Sequence, residues 1–521
     1  MQITLIDPPR YTFPLNHASN VAIPPLGVAY IAASIESQGH HVQVIDAVGS
    51  ALTTYTEFGP VYLRGLSFDE IVRRIDPKTD IIALSNMFSC QWPATRRLIT
   101  KIKEIYADKP IILGGEHPTG MPDLVLNQAS VDVIVLGEGE ETIIEVLNYY
   151  EHGLPKDLSM IAGVAFRENG EVIQTCRRER LRNIDDIPLP AWHHFNIEGY
   201  IGFNQPHGAS LGRYMPMLAT RGCPFRCTFC TSPQMWTQLW IMRNPKLIVD
   251  EMEKYMTEYG ATDFHFEDLT AIVKKEKILQ LAQEILDRKL KITFQLPSGT
   301  RSEAIDRETA RAIKAAGCSE FQFAPESGDA RILKAIEKKI NLSKMFEGAR
   351  YAIHEGISVS CNFIFGFPED DYKSVMNNYK AIIKCARLGF TGVNLNAYSP
   401  QPNTTSFRQL VDSGKIKQLD DNYFMSLFTF QSFFVKKTSY NDRFSSWQLT
   451  WLIFFGFLLF YVSYFALKPT RIYSTFKSFF TTNAANKSAT YARSMLREIM
   501  RILRFKKSSR RALAAARQPT F

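Results

Sequence analysis

Three cysteines carry the most specific chemistry in this chain. Cys223, Cys227 and Cys230 lie in the run Arg221-Gly-Cys-Pro-Phe-Arg-Cys-Thr-Phe-Cys-Thr231, whose Cys-x3-Cys-x2-Cys spacing supplies three thiolates from one short loop. Three thiolates can hold three irons of a cubane iron–sulfur cluster and leave the fourth iron open to a chelating substrate. Structural zinc usually takes four protein ligands, and no fourth Cys or nearby His pair completes this set. A zinc knuckle and three unrelated thiols are the alternatives that the spacing leaves standing. The other cysteines, Cys90, Cys176, Cys318, Cys361 and Cys385, are scattered. One tight group among scattered thiols implies a reducing compartment and a metal site, not a disulfide scaffold.

Such a loop needs a scaffold. Between about 211 and 410, the strand candidates Met217–Thr220, Thr262–Phe266, Ile292–Gln295, Phe321–Ala324, Ser358–Phe365 and Gly392–Ala397 alternate with helical patterns. That alternation predicts a partial (β/α)6 barrel of the TIM type, with the cysteine loop at the carboxyl end of its first strand. Residues 1–150 repeat the alternation with Gln2–Ile6, His41–Ile45, Ile81–Leu84, Pro110–Leu113 and Val131–Leu136, and predict a Rossmann-like α/β domain around a parallel sheet. Several of these strands run into Asp7-Pro8-Pro9, Gly114-Gly115 and Gly137-Glu138-Gly139-Glu140. Open α/β sheets bind ligands beyond the carboxyl ends of their strands, where glycine admits close approach, although tight turns alone would use the same glycines. Residues 151–210 read as a connector with a hairpin about Asn169-Gly170, and 411–521 as a helical C-terminal region.

The chain has 521 residues, 45% hydrophobic and 22% charged, which excludes disorder, collagen-like repeats and a coiled-coil rod as the whole answer. Its net charge of +9 is unevenly spread: from Lys468 onward there are 13 Lys/Arg and one acidic residue. The body before that point is close to neutral, so a general nucleic-acid binder is not expected. The first residues, Met1-Gln-Ile-Thr-Leu-Ile-Asp7, have neither a basic stretch nor a long apolar one, so no signal peptide and a cytoplasmic location are expected. Trp447–Leu467 is 21 residues without a charge, long enough to span a bilayer. A single crossing would put the basic tail outside, against the positive-inside tendency. A true span, an interfacial helix, a hairpin and a helix buried against the barrel stay open. The basic stretch with Arg493, Arg497, Arg501 and Arg504 suits anionic lipid, so peripheral attachment to the cytoplasmic membrane face is expected. Truncation at about residue 440 is expected to leave a soluble, active protein.

The cysteine loop, with Phe229 before its last Cys, resembles the signature of the radical S-adenosylmethionine (SAM) superfamily. Phe264-His-Phe-Glu-Asp-Leu269 is similar to the second-strand motif of that family, which implies that Glu267 and Asp268 reach the methionine amino group. Arg301 stands where these enzymes often place an arginine. Gly317-Cys-Ser-Glu-Phe-Gln-Phe-Ala-Pro-Glu-Ser-Gly328 resembles the fourth-strand motif and implies Glu326 and Ser327 at the ribose or carboxylate. Phe365-Gly-Phe-Pro-Glu369 resembles the fifth-strand motif, with Gly366 beside the adenine, while Pro400-Gln-Pro-Asn-Thr404 departs from the Pro-Gly-Thr or Pro-Gly-Ser of relatives. In the first 150 residues, Pro24-Pro-Leu-Gly-Val-Ala-Tyr-Ile-Ala-Ala33, Val44-Ile-Asp-Ala47, Gly114-Gly-Glu-His-Pro-Thr119 and Asp132-Val-Ile-Val-Leu-Gly-Glu-Gly-Glu140 resemble the cobalamin-binding domain of many such enzymes. This implies Pro25, Leu26, Gly27, Gly114, Gly115, Gly137, Glu138 and Gly139 as cobalamin contacts. The Asp-x-His-x-x-Gly motif that ligates cobalt elsewhere is absent, and His117 sits in a family turn that does not ligate, so a lower cobalamin face without a His ligand is expected.

The resemblance implies a class B-like radical SAM methyltransferase. A [4Fe–4S] cluster would cleave SAM reductively to a 5′-deoxyadenosyl radical, and methylcobalamin would methylate an unactivated carbon. A small hydrophobic, lipid-like substrate and an electron donor such as flavodoxin or ferredoxin are the expected partners. A radical cyclase or oxidative enzyme of the same superfamily, or a non-catalytic cobalamin- or lipid-responsive membrane module, is the alternative.

Overall fold

Runs of aliphatic and aromatic residues bounded by turn residues form the strands of two parallel sheets in the computed structural model, which describes residues 1–12, 21–428 and 436–473. The basic residues Arg493, Arg497, Arg501 and Arg504 lie outside the described residues. In the first sheet, β1 (Gln2–Asp7), β2 (His41–Asp46), β3 (Ile81–Ser85), β4 (Ile111–Gly114) and β5 (Val133–Val135) run parallel in the order β2-β1-β3-β4-β5. These strands read as almost continuous apolar runs because both faces are covered. Helices α1 (Leu26–Ser37) and α3 (Thr142–His152) bury Ile3, Ile81 and Val133, while α2 (Trp92–Ile105) buries Ile6, Ile82 and Ile134. The hairpin β6 (Val164–Glu168) and β7 (Glu171–Gln174) turns at Asn169 and Gly170, both with positive φ, as a two-residue hairpin loop requires. It pairs antiparallel with β5 and so extends this sheet.

The second sheet holds β8 (Tyr214–Met217), β9 (Asp263–Phe266), β10 (Thr293–Thr300), β11 (Cys318–Glu326), β12 (Ser358–Phe365) and β13 (Gly392–Ala397), all parallel and in sequence order. Their outward residues, Phe264, Phe266, Phe294, Phe321, Phe323 and Phe363, are buried under α4 (Pro245–Tyr259), α5 (Lys275–Asp287), α6 (Arg307–Ala315), α7 (Leu342–His354) and α8 (Tyr372–Leu388). The alternate positions, Asp263, His265, Gln295, Gln322, Ser360 and Asn394, turn inward and are polar. The first barrel strand ends at Met217, three residues before its expected end. Thr220-Arg221 pairs instead with Ile241-Met242, because the chain must turn away from the sheet to deliver the cysteine loop.

The apolar C-terminal segment is one helix, α9 (Ser446–Leu467), started by a reciprocal Ser445–Gln448 capping box. It docks along α8 and β13 through Leu449, Ile453, Gly456 and Phe460. Gly456 is required for that approach, since a Cβ there would come within 2.7 Å of Leu395. The Tyr379 hydroxyl donates to the Leu452 carbonyl at 2.9 Å, and Arg471 donates to the carbonyl of Ala386 at 3.2 Å. The helix thus follows β13 as the outer helix of the barrel and covers its edge strand. Trp447, Trp451, Phe454, Leu458 and Val462 form an exposed apolar stripe on its other face.

This packing argues for the opposite outcome of truncation near residue 440: loss of α9 uncovers β13, and an aggregating protein is expected. Phe460→Ala should cost about 3–5 kcal/mol of stability, whereas Trp451→Ala on the exposed stripe should stay within about 0.5 kcal/mol. Denaturant unfolding of the two variants checks this, and equal losses would contradict the docked helix.

Candidate active site

The cysteine loop leaves the sheet beyond β8 and is shaped by hydrogen bonds from its own backbone and from the loop after β9. The Cys230 amide donates to the Cys227 carbonyl at 3.1 Å, the Ser232 amide to the Cys230 sulfur at 3.5 Å, and the Thr270 hydroxyl to the Cys223 sulfur at 3.4 Å. All three thiols are partly buried and free of disulfides. Burial raises the Cys227 thiol and pushes Cys230 up to about 12, so thiolates here need a cationic centre to hold them. Among the described residues, the one His/Cys/Asp/Glu group with ligand atoms all within 4.8 Å is Glu36 with His193 and His194. The three sulfurs are therefore spread more widely than one zinc ion, with Zn–S bonds of about 2.3 Å, would gather them. The donor set fits a multinuclear cluster.

The carboxyl ends of the barrel strands surround this loop. Glu267, just beyond β9, accepts from Ser298 at 3.4 Å and lies 2.9 Å from His207 Nδ1 on its Oε2, while its Oε1 is buried without a partner. The neighbouring imidazole holds this carboxyl below the usual range despite burial. Asp268 does not share that position. Its carboxylate accepts from the amides of Ala219 and Thr220 and from the Thr220 hydroxyl, and burial pushes it up to about 7. It caps the turn into the cysteine loop, so the two adjacent acidic residues separate into one open carboxylate and one structural one. The Arg301 guanidinium lies 3.9 Å over the ring of Phe225, inside the cysteine loop, and pairs with Glu303.

Glu326 ends β11 with φ +68°, a left-handed conformation costly for a residue with a Cβ, and pairs with Lys338 at 3.0 Å. Lys338 places its charge beside Cys227. It is a site candidate that sequence reading missed, because it lies 12 positions past its partner outside any strand motif. Ser327 is fully buried, with its hydroxyl engaged by Asn378 and the Asp329 amide, which makes it a turn former. Gly366 has φ +87°, donates its amide to Asp370 at 2.8 Å, and lies under Leu449 of α9. Phe229 packs edge-on against Phe367, so the cysteine loop rests on the Gly366-Phe367 turn.

The glycine loops of the first sheet meet this end of the barrel. Glu138 pairs with Arg180 at 2.8 Å and Arg221 at 3.2 Å, and Arg221 also pairs with Glu140 at 2.6 Å. Both guanidiniums lie over the Trp236 ring. The Thr231 hydroxyl, one residue past Cys230, donates to Glu116 at 2.5 Å. Gly27 and Gly114 face open space, Gly115 packs its backbone against Asn86, and Gly139 packs against Ile31. Gly137 accepts no side chain readily at φ +75°, and its amide donates to Thr119. Pro25 caps α1, and Leu26 is buried beneath it. Glu138 is thus spent on the contact between the two sheets. His117 is buried between the rings of Trp92 and Phe424, 5.1 and 5.3 Å away, and burial lowers it to about 3. It is a neutral core residue, not one presented at the crevice. No side chain projects from Gly27, in the first turn of α1, or from Gly114, at the end of β4, so a ligand can approach the backbone at both.

Residues 15–147 match the B12 binding domain family, and residues 217–382 match the Radical SAM superfamily. An uncharacterized methyltransferase of Pyrococcus horikoshii is 28% identical over 78% of this chain and 82% of its own length. The cytidylyl-2-hydroxyethylphosphonate methyltransferase of Streptomyces wedmorensis is 27% identical over 77% and 80%. The structure of the radical SAM methyltransferase TsrM from Kitasatospora setae, with cobalamin and a [4Fe–4S] cluster bound, superposes with a TM-score of 0.61 at 16% identity, covering 79% of this chain and 75% of that one. With a B12 binding domain over its first sheet and the cysteine signature on its barrel, the chain belongs to the cobalamin-dependent radical SAM enzymes, whose cofactors are a [4Fe–4S] cluster, SAM and cobalamin.

Proposed function

We propose that this enzyme methylates an unactivated carbon of a small, lipid-like substrate whose polar end enters the barrel, and that it works on the cytoplasmic face of a membrane. The observation that carries the reading is the ion-paired contact of Glu138 and Glu140 with Arg180 and Arg221, which joins the glycine loop after β5 to the entrance of the cysteine loop. One crevice then serves both cofactors. When bound, the cluster supplies the electron that cleaves the SAM sulfonium, and cobalamin carries the methyl group.

The chain's own residues bind and orient. Cys223, Cys227 and Cys230 hold the irons, and Thr270 hydrogen-bonds the first of them. Glu267 offers its free Oε1 to the SAM ammonium. Lys338, held by Glu326, draws the methionine carboxylate towards the side of Cys227. The Gly366-Phe367 turn with Phe229 makes an apolar wall for the adenine. Gly27 and Gly114 leave room for the corrin. A reductant such as flavodoxin or ferredoxin supplies the electrons.

Two features support the substrate class. Inside the barrel, the Asn394 amide donates to Gln322 and Asn362 at 3.1 and 2.8 Å, and the Ser360 hydroxyl donates to Gln322. A hydrogen-bonding end of the substrate suits this polar wall. Outside, the exposed stripe on α9 precedes the basic tail, and basic residues near anionic lipid contribute about 1 kcal/mol each.

Incubating the reconstituted enzyme with methyl-labelled SAM and an extract of a strain lacking the gene should place label in the solvent-extractable lipid fraction. Label confined to water-soluble molecules would contradict the lipid-like substrate, and SAM cleavage with no labelled product would contradict methyl transfer. On anionic phosphatidylglycerol vesicles, Trp451→Glu with Phe454→Glu should abolish co-flotation of the protein, while high salt should only weaken it, because charge attraction is screened and apolar burial is not. Unchanged flotation of the double variant would contradict attachment through α9.

A further inference from the structure

The inward stripe of β9 and the residue that follows it is polar at every other position, Asp263, His265 and Glu267, and all three are buried or nearly so. Buried polar groups of this kind need partners. Asp263 and Glu267 find partners in a short stretch of connector, residues 207–213, which descends through the barrel interior beside β9. At the bottom, the Arg213 amide donates to the Thr262 hydroxyl at 3.2 Å, and the Leu211 amide donates to Asp263 at 3.4 Å. In the middle, Gln295 grips Ala209 from both sides, accepting from its amide at 2.8 Å and donating to its carbonyl at 2.7 Å. Gln295 also donates to Asp263 at 2.9 Å, and His265 pairs with Asp263 at 3.0 Å. Gly208 has no room for a side chain, since a Cβ would come within 2.2 Å of Gln295. The residue above that glycine is His207, set by this grip at 2.9 Å from Glu267, half-exposed at the mouth of the barrel.

We propose that His207 is a positioning residue of the SAM site. The threaded connector is fixed to β9 and β10 so that the imidazole holds Glu267 by Oε2 and leaves Oε1 free to receive the SAM ammonium. This rests on the reading of Glu267 as the ammonium contact. Without the imidazole, Glu267 keeps only the long bond from Ser298 on that oxygen, and its carboxylate is free to rotate away from the ammonium position. Losing one hydrogen bond to a charged group lowers affinity by roughly ten- to a hundredfold. A second consequence concerns space. The connector fills the barrel on its β8–β10 side, so the substrate's polar end meets the amides of β11–β13.

The test uses the full-length enzyme with its cluster reconstituted and reduced. SAM binding is followed by the change it makes in the electron paramagnetic resonance spectrum of the cluster, and 5′-deoxyadenosine formation is resolved into kcat and KM. His207→Phe should raise both Kd and KM for SAM ten- to a hundredfold with kcat little changed. His207→Asn, which keeps a donor, should restore most of the affinity. Glu267→Gln should lose SAM binding more severely than either. If Glu267→Gln loses binding while His207→Phe binds SAM as the parent does, the positioning role is wrong. If Glu267→Gln itself binds SAM normally, the ammonium reading fails and the positioning role falls with it. A fall in kcat alone in His207→Phe, with Kd unchanged, would also overturn the proposal.

Discussion

Arg180 and Arg221 share the carboxylates of Glu138 and Glu140 in a nearly dry contact, with side-chain exposures of 5, 5, 7 and 10%. Burying four charges is expensive, and such networks are weak devices for stability alone. Their geometry is strict, however, and removing one partner leaves a buried charge uncompensated. In this enzyme that strictness falls where the two sheets present their carboxyl ends to one another. The glycine loop after β5 and the turn into the cysteine loop cannot drift apart without breaking the exchange. The Glu116–Thr231 bond ties the loop after β4 to the far end of the cysteine loop.

Much of the fold was legible because its signals are local. The β/α alternation follows from short apolar runs set between helical patterns, the hairpin from Asn169-Gly170, and the cluster site from three cysteines within eight residues. The roles that could not be read from sequence depend on partners far along the chain. Glu138 sits in a motif that marks a cofactor loop, yet its partners are Arg180 and Arg221, 42 and 83 residues away. Asp268 stands beside Glu267 in one motif, but the pleat sends the two side chains to different tasks. The apolar run in α9 has the composition of a membrane span because one face covers a sheet edge and the other is bare. Composition does not distinguish two half-apolar environments from one uniform one.

The connector shows a signal that was present but undervalued. Asp263-Phe-His-Phe-Glu267 alternates polar and aromatic residues with period two, which in a barrel strand means a polar stripe pointing inward. Three polar groups in a barrel interior require either substrate or protein partners, and here the chain supplies partners to Asp263, to His265 Nε2 and to one oxygen of Glu267, leaving Glu267 Oε1 open. The same accounting separates the apolar outside of the barrel from its polar inside and constrains what can enter.

The central claim is that the cluster and the cobalamin share one crevice because the two sheets are locked loop to loop. Pulsed electron paramagnetic resonance on the full-length enzyme, with the cluster reduced and the cobalamin in its paramagnetic cobalt(II) state, measures the coupling between the two centres directly. The structure predicts a strong magnetic interaction that perturbs both signals and weakens when Glu138 and Glu140 are replaced by glutamine. Two independent, unperturbed spectra in the parent enzyme would contradict it.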